Sequence, residues 1–207
     1  RRIRDRPLLV VSSTSWTPDE DFGLLFTALQ AYEVEAREAA KKADNPNSLR
    51  LVVVVTGKGP DKEYYKKKIA RYNMKYVAIL TPWLEAVDYP RFLACADVGI
   101  SLHTSTSGLD LPMKILDMFG CQVPVLARNY ACLDELVQDG VQGELFENAS
   151  QLTNQLWQLR QDPTPLVTTY KQNLRQWRRW KENWKESALP VLQRATGQQS
   201  SRSKKEK

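Results

Sequence analysis

Residues 107–117 combine a glycine turn, a helix start, a lysine and carboxylates in an order that suits a phosphate-binding site. The segment reads Ser107-Gly-Leu-Asp-Leu-Pro-Met-Lys-Ile-Leu-Asp117 and is followed by Val123-Pro-Val-Leu-Ala127. Pro112 fits the first turn of a helix, where its missing N–H costs nothing. A helix N-terminus and free backbone N–H groups favour an anion. We predict that this segment binds a diphosphate beside Lys114, with Asp117 one turn deeper as an acceptor for sugar hydroxyls, and hence a nucleotide-sugar.

The same residues also have a purely structural interpretation. Asp110 could be a helix N-cap, a contribution of roughly 1 kcal/mol. Lys114 and Asp117 could be exposed helix residues or a local i,i+3 pair. The combination of a polar loop, Gly108 and a helix start after a predicted strand favours the anion site.

One further loop, and the start of the loop that leads to Ser107, contain polar candidates. Gly57-Lys58-Gly59-Pro60 follows a predicted strand, and it either brings backbone close to a base or phosphate or makes a tight turn. It is not a P-loop, which needs wider glycine spacing and a Ser or Thr after the Lys. His103 is the only histidine. It either closes a strand or lies beside the glycosyl diphosphate as a donor to the sugar or leaving group, and one histidine without partners does not support a nucleophilic triad.

Aromatic residues occur at two other places. Trp83 and Glu85 follow the third predicted strand, and Trp83 either stacks on a base or packs in the core. Residues 165–195 are predicted to form a basic, Trp-rich terminal helix. Its stripe of large apolar residues has three interpretations, namely core packing (which we favour), contact with another domain, and contact with anionic lipid. The stripe consists of Leu174, Trp177, Trp180, Trp184 and Leu189.

The elements that must position these residues follow from hydrophobic periodicity. Predicted strands are the almost continuously apolar runs 8–12, 51–56, 76–80, 98–102 and 123–127. Predicted helices between and after them are 22–42, 62–71, 89–95, 112–119, 133–137 and 151–159. This alternation predicts an α/β fold with a doubly wound parallel sheet. Ligands of such sheets bind beyond the carboxyl ends of the strands, where the loops described above lie.

Composition restricts the organisation of the chain and its partners. With 207 residues, 42% of them apolar, one domain over residues 1–190 is expected, followed by a disordered basic tail at 197–207. The net charge of +6 is concentrated in residues 171–186 and 202–207, so no nucleic-acid-binding surface is expected. Three cysteines without metal spacing favour neither a disulfide framework nor a zinc site, and we expect no metal or cofactor. The apolar runs are strand-sized, which predicts no transmembrane helix.

The motif Pro112-x-Lys114-x-x-Asp117, followed by Val123-Pro124-Val125, resembles the donor site of GT-B glycosyltransferases. The resemblance implies a Rossmann-like carboxy-terminal half, in which Asp117 binds the ribose hydroxyls. It also implies that the amides of Ser107, Gly108 and Leu109 bind the diphosphate. Related transferases often have a basic pair in the first loop, but here residues 12–17 are mostly hydroxyl-bearing, which leaves Lys58 and Lys114 as cations. Two departures are the seven-residue spacing of Asp110 and Asp117, where relatives often have glutamates eight apart, and Gln122 in place of the usual Gly.

Four motifs in a fixed order make the resemblance more specific. Together they are similar to the carboxy-terminal half of the eukaryotic chitobiosyldiphosphodolichol β-mannosyltransferase family. The motifs are Ser12-Ser-Thr-Ser-Trp-Thr17, Thr56-Gly-Lys-Gly-Pro60, Thr81-Pro-Trp-Leu-Glu85 and Leu102-His-Thr-Ser-Thr-Ser-Gly-Leu-Asp-Leu-Pro-Met-Lys114.

That family resemblance implies GDP-mannose as donor, dolichol-diphosphate-linked chitobiose as acceptor and an inverting reaction. It further implies that the enzyme acts at the cytosolic face of the endoplasmic reticulum, alongside other glycosyltransferases that assemble the N-glycan precursor. The general base and acceptor groove belong to an amino-terminal domain that has no counterpart among these residues. We therefore expect this chain to bind the donor but to transfer little mannose.

Two rival functions remain open. A truncated paralogue could keep the fold as a nucleotide-sugar-binding or interaction module without catalysis. A nucleotide-sugar epimerase of the same fold would need its own catalytic acids, of which there is no convincing set. A dehydrogenase is disfavoured because no Gly-x-Gly-x-x-Gly follows the first strand.

Overall fold

The apolar runs form a six-stranded parallel sheet in the computed structural model, which describes Ile3 and residues 6–43, 45–104, 107 and 109–196. The strand order is β3-β2-β1-β4-β5-β6, and every neighbouring pair is parallel. The strands are β1 Leu8–Ser13, β2 Leu51–Thr56, β3 Val77–Leu80, β4 Val98–Ser101, β5 Val125–Arg128 and β6 Gly143–Phe146. The strand order reverses between β1 and β4, which confirms the predicted doubly wound sheet and places a crevice beyond these two strands.

Helices connect the strands and cover the sheet. They are α1 Phe22–Ala40, α2 Lys62–Ala70, α3 Tyr89–Leu93, α4 Met113–Gly120 and α5 Ala149–Gln161. Short 3₁₀ turns occupy Pro46–Leu49 and Leu133–Glu135, so the predicted helix over 133–137 is a single turn. The buried face of α1 repeats at helical spacing, which anchors this helix in the core, through Phe22, Leu25, Phe26, Leu29, Tyr32 and Ala36.

Strand β6 was not predicted from the sequence. It is only four residues long and lies at the edge of the sheet, where it pairs with β5 alone. Its half-buried pattern gives no long apolar run. Strand β5 also begins at Val125 instead of at Val123, because Gln122 turns the chain with a positive φ of 59° before Pro124.

Helix α4 lies close against β4 because Gly99 has no side chain. A Cβ at Gly99 would lie 2.3 Å from Met118 Sδ, well inside contact distance. Met118, Ile115 and Phe119 bury one face of α4. The opposite face, with Lys114 and Asp117, is thereby held at the carboxyl edge of the sheet.

The sequence predicted one terminal helix over residues 165–195, but the structure has several short helical segments there. The structure divides the chain into two units, Arg1–Arg175 and Gln176–Lys207. The first unit ends with a π-helical stretch Leu166–Tyr170 and α6 Lys171–Arg175, where Leu174 is buried. Residues 176–179 are not helical.

The second unit contains α7 Trp180–Asn183, a π-helical stretch Trp184–Ala188 and α8 Leu189–Ala195. Within this unit, the ring centroids of Trp180 and Trp184 are 5.7 Å apart. The favoured prediction that these two residues pack against the core of the domain stays a prediction. The predicted disordered tail at 197–207 lies outside the described residues. Among the helices that the structure describes, none has the length and apolar character of a membrane span.

Candidate donor-binding site

The loops that follow β1 and β4 are joined at the carboxyl edge of the sheet. Glu20 and His103 form an isolated antiparallel bridge. The backbone N–H and the hydroxyl of Thr104 both approach the carbonyl oxygen of Asp19, at 3.4 and 3.3 Å. The two loops that flank the crevice therefore form one surface.

A buried carboxylate lies at the centre of this surface. Glu20 is only 4% exposed. Its Oε2 accepts hydrogen bonds from the Thr14 hydroxyl, at 2.5 Å, and from the Ser15 amide. Its Oε1 forms an ion pair with the Lys114 ammonium. Because a buried charge is costly unless it is paired and hydrogen-bonded, these contacts fix the first loop and the first turn of α4 together.

Lys114 reaches this carboxylate from helix α4. Its ammonium also lies 3.4 Å from Ser15 Oγ, and its side chain is 31% exposed. An ammonium has three donors. Lys114 thus lies at a helix N-terminus as a cation whose position is fixed by Glu20. The alternative interpretation, in which Lys114 pairs locally with Asp117, is wrong, since its ion pair is with Glu20.

Tyr89, Ser13 and Thr56 form a second polar group, beside Asp117 of α4. Tyr89 is the first residue of α3. The Tyr89 hydroxyl is 2.8 Å from Ser13 Oγ, and Thr56 Oγ1 lies 3.5 Å from the same oxygen. Partial burial raises the pKa of Asp117, while the nearby Tyr89 hydroxyl opposes this rise. The carboxylate that the resemblance assigns to ribose therefore lies near the polar group at the ends of β1 and β2.

His103 and Asp110 form a third group. His103 Nε2 is 2.9 Å from Asp110 Oδ2, and its ring lies edge-on to Tyr130 with centroids 6.1 Å apart. The Tyr130 hydroxyl donates to the carbonyl of Asp110 at 2.9 Å, and burial raises the pKa of Tyr130 to about 12. These contacts hold the end of the loop that is predicted to bind phosphate. Asp110 is not the N-cap of α4, because Pro112 occupies that position and the helix begins at Met113.

The predicted amides of the phosphate loop are only partly described. The Leu109 N–H donates to Ser107 Oγ at 3.3 Å, and the Leu109 side chain is exposed. Gly108 lies outside the described residues. The proposal that these three amides bind a diphosphate stays a prediction.

The Gly57–Pro60 loop packs against the backbone of the first loop. Gly57 has a φ of +132°, and a Cβ there would lie 1.8 Å from the Thr14 carbonyl oxygen. A Cβ at Gly59 would lie 1.7 Å from the Ser15 carbonyl oxygen. Close approach of two backbones thus explains both glycines, a reason that neither the ligand-contact interpretation nor the tight-turn interpretation included.

Lys58 and Trp83 are brought together from two loops. The Lys58 ammonium lies 4.0 Å from the centroid of the Trp83 ring, a cation–π contact. Trp83 is 51% exposed, so the alternative that it packs in the core is wrong. Glu85 is also exposed, two residues further along this loop, and its carbonyl accepts from the amides of Asp88 and Tyr89 at 3.0 Å.

Sequence reasoning missed four polar residues of this surface. Glu20 stands in an acidic run with Asp19 and Asp21 that resembles a solvated loop. Arg128 is at the end of β5, and its Nη1 lies 3.4 Å from Asp21 Oδ2. The other two are Ser13 and Tyr89, described above. Their positions at the carboxyl ends of strands, in the following loops or at the start of the next helix are the one signal that could have found them.

Within the described part of the chain, no group of three or more His, Cys, Asp or Glu residues is arranged to bind a metal ion.

A doubly wound parallel sheet, with polar loops after its strands and a lysine at a helix start beside the strand-order reversal, agrees with the half of a GT-B glycosyltransferase that the sequence motifs predict. Residues 22–162 match the family described as group 1 glycosyl transferases. This range is more than half of the chain, and the chain belongs to that family.

Within this family, the chain is similar to particular named glycosyltransferases. The chain is 47% identical over 196 residues to the human chitobiosyldiphosphodolichol beta-mannosyltransferase. This alignment covers 92% of this chain and 41% of the human protein. It is 44% identical over 208 residues to the Arabidopsis thaliana protein named UDP-glycosyltransferase TURAN, and this alignment covers 94% of this chain and 45% of the plant protein. The chain thus spans less than half the length of these relatives.

A solved structure agrees on the fold. The pneumococcal O-GlcNAc transferase GtfA, crystallised with UDP and GlcNAc, superimposes with a TM-score of 0.63. The superposition covers 90% of this chain and 36% of that protein, at 16% sequence identity. At this identity the comparison supports the GT-B fold and nothing finer.

Replacing Gly57 with Ala should lower the free energy of unfolding by about 2 kcal/mol, because a side chain there is strained at positive φ and meets the Thr14 carbonyl. Denaturant unfolding measures this change. Gly120→Ala is the matched control, since a Cβ at Gly120 has open space and lies in a helix, where Ala is favoured by about 0.5 kcal/mol. Equal effects of the two substitutions would contradict the close packing of the loops.

Glu20→Gln should lower the free energy of unfolding by about 1–2 kcal/mol, because it removes the charge that pairs with Lys114 while part of the Lys114 side chain can rehydrate. The control is Glu38→Gln, which breaks the exposed pair with Lys41 and should cost no more than about 0.5 kcal/mol. An unchanged stability of Glu20→Gln would show that Glu20 does not organise this surface.

Proposed function

We propose that this chain is the donor-binding domain of a β-mannosyltransferase that uses GDP-mannose. In the full reaction, mannose would pass to dolichol-diphosphate-linked chitobiose during assembly of the N-glycan precursor. The observation that carries the proposal is the Glu20-held ammonium of Lys114 at the start of α4, at the strand-order reversal of the sheet. The names of the relatives support the sugar and the acceptor.

Each group would have a distinct task in donor binding. The Lys114 ammonium, the amides of the preceding loop and the helix N-terminus would hold the diphosphate. Asp117 would accept from the ribose hydroxyls, and the exposed face of Trp83 would stack on the base. His103, held by Asp110, would lie near the glycosyl diphosphate as a hydrogen-bond donor to the sugar or to the leaving group.

The proposed reaction is an inverting displacement. It needs a general base on the acceptor hydroxyl and stabilisation of the departing nucleoside diphosphate. The residues of this chain supply the second task, and they accelerate the reaction to the extent that they bind the diphosphate more strongly as its charge develops. We place the base and the acceptor groove in the part of the relatives that this chain does not match. The site would work at the cytosolic face of the endoplasmic reticulum, alongside other glycosyltransferases of the pathway.

A nucleotide-sugar-binding module without catalysis is the second candidate, because the tasks that we assign to the described residues all concern the donor and none of them activates the acceptor. An assay of mannose transfer to a chitobiosyl lipid distinguishes the enzyme domain from the non-catalytic module. Under our proposal the chain alone binds the donor and transfers little, and activity appears when the remaining part of a relative is supplied. Absence of transfer under both conditions would favour the module.

Calorimetric titration should give tighter binding of GDP and GDP-mannose than of UDP. Lys114→Gln should weaken GDP binding about tenfold or more, because a charge-assisted contact to the diphosphate is lost. Lys66→Gln is the matched control, since Lys66 forms an exposed pair with Glu63 on α2. Preference for UDP would overturn the assignment of the nucleobase, and equal effects of the two substitutions would remove Lys114 from the site.

The effect of Asp117 on binding should depend on pH. Burial raises the pKa of Asp117 above that of an ordinary aspartate, and only the carboxylate accepts from both ribose hydroxyls. The ratio of GDP affinities between the wild type and Asp117→Asn should therefore shrink as the pH falls toward this raised pKa. Taking the ratio cancels the titration of the diphosphate itself. A constant ratio down to the range where ordinary aspartates titrate would contradict the assignment.

A further inference from the structure

The charges of the first unit are distributed unevenly along the sheet. Residues 1–175 have equal numbers of acidic and basic side chains, so their formal net charge is zero. Residues 58–80, from just after β2 to the end of β3, include seven basic and two acidic residues. Residues 125–162, from the start of β5 to the residue after α5, include six acidic and two basic residues. The neutral total therefore conceals one basic and one acidic segment.

These two segments lie at opposite edges of the sheet. Strand β3 is one edge and β6 is the other, with four strands between them. At about 4.8 Å per strand, the two edges are about 24 Å apart. This distance exceeds the Debye length of about 8 Å at physiological ionic strength, so a charged surface at the β3 edge interacts little with the acidic edge. The first unit therefore presents a basic end to an anionic partner that contacts it there.

Helix α2 forms the outer face of the basic end. Ile69 is partly buried and packs against the core, whereas the other side of the helix is exposed. That exposed side includes Tyr64, Lys67 and Arg71, whose spacing of three and four residues places them on one stripe of the helix. We call these three residues the α2 face.

Large apolar side chains accompany these charges. Tyr64 is 62% exposed, and Tyr72, one residue after Arg71, is 50% exposed. Leu80 at the end of β3 and Val87 in the following loop are exposed as well. A tyrosine combines an apolar ring with a polar hydroxyl, and lysine and arginine combine an apolar stem with a charge. Side chains of both kinds suit the boundary between the headgroups and the acyl chains of a bilayer.

We propose that the β3–α2 edge of the first unit contacts an anionic phospholipid surface through the α2 face. The charge of this edge complements anionic headgroups, and each Lys or Arg near such a surface strengthens the attraction. The choice of a lipid over an acidic protein rests on the proposed function, whose acceptor is attached to a lipid. In this orientation the crevice between β1 and β4 lies about 12 Å from the β3 edge, which keeps the donor site near the bilayer.

Sedimentation of the chain with vesicles tests the contact. The chain should bind vesicles made of equal parts phosphatidylcholine and phosphatidylserine, and it should bind pure phosphatidylcholine vesicles weakly. The variant Lys67→Glu/Arg71→Glu should weaken binding to the anionic vesicles at least about tenfold, because two charges of the contact are reversed. The matched control Lys42→Glu/Arg50→Glu makes the same change of net charge at exposed positions outside the basic segment. Equal loss of binding in the two variants would overturn the proposal.

Residue-specific labelling shows which part of the chain contacts the vesicles. The second unit is also basic, so it could bring the chain to an anionic surface by itself. Acetylation of the wild type by a water-soluble reagent, read by mass spectrometry, should show at least about threefold protection of Lys67 by anionic vesicles. Lys42 should stay fully reactive. Protection of Lys181 and Lys185 without protection of Lys67 would overturn the proposal.

Two further measurements separate this inference from its alternatives. Protection of Lys67 by a soluble polyglutamate peptide, with none by vesicles, would assign the edge to an acidic protein and overturn the lipid contact. Failure of the proposed function looks different, because GDP would then not bind, whereas vesicle binding needs no nucleotide. Neither Lys67 nor Arg71 belongs to the donor site, so the double variant should bind GDP as the wild type does, which also shows that it is folded.

Discussion

The buried carboxylate of Glu20 is the interaction on which the candidate site depends. One oxygen accepts hydrogen bonds from the Thr14 hydroxyl and the Ser15 amide, and the other forms an ion pair with the Lys114 ammonium. Leaving such a group unpaired in the interior would cost several kcal/mol, so the surrounding loops are constrained to supply all of these donors together. One acidic residue thereby connects the loop after β1 to the helix that starts after β4.

This constraint also bears on the proposed diphosphate site, which has no basic pair in the loop after β1. The positive charge comes from α4 instead, and Glu20 fixes its position. The net charge of the pair is zero, so under our proposal the attraction for a diphosphate would come from directed N–H donors and the helix N-terminus more than from a general positive field. The Gly57–Pro60 loop supports the same surface from behind, since its glycines allow backbone contact with Thr14 and Ser15.

Much of the fold could be predicted from the sequence because parallel strands that are buried on both faces appear as continuous apolar runs. Five of the strands were found in this way, with ends shifted by at most two residues. Strand β6 was missed because an edge strand of four residues has no such run. The break at residues 176–179 was also missed, because the spacing of large apolar residues continues through it.

The polar network of the site was harder to predict. The positions of Lys114 and Asp117 near a helix start follow from local spacing, as does that of His103 after β4. Their neighbours in space do not, because Glu20 lies 94 residues from Lys114 and Tyr89 belongs to another helix. A pairing of this kind depends on which loops the strand order brings together. The glycines at 57 and 59 were ambiguous for the same reason, since the backbone that they contact is remote in sequence.

A crystal structure of this chain with GDP would test the central claim most directly. The account predicts the diphosphate at the start of α4, with a phosphate oxygen about 3 Å from the Lys114 ammonium while Glu20 keeps its contact with the same ammonium. Asp117 would contact the ribose in the same complex. A diphosphate bound elsewhere, with Lys114 still engaged only by Glu20 and Ser15, would contradict the account.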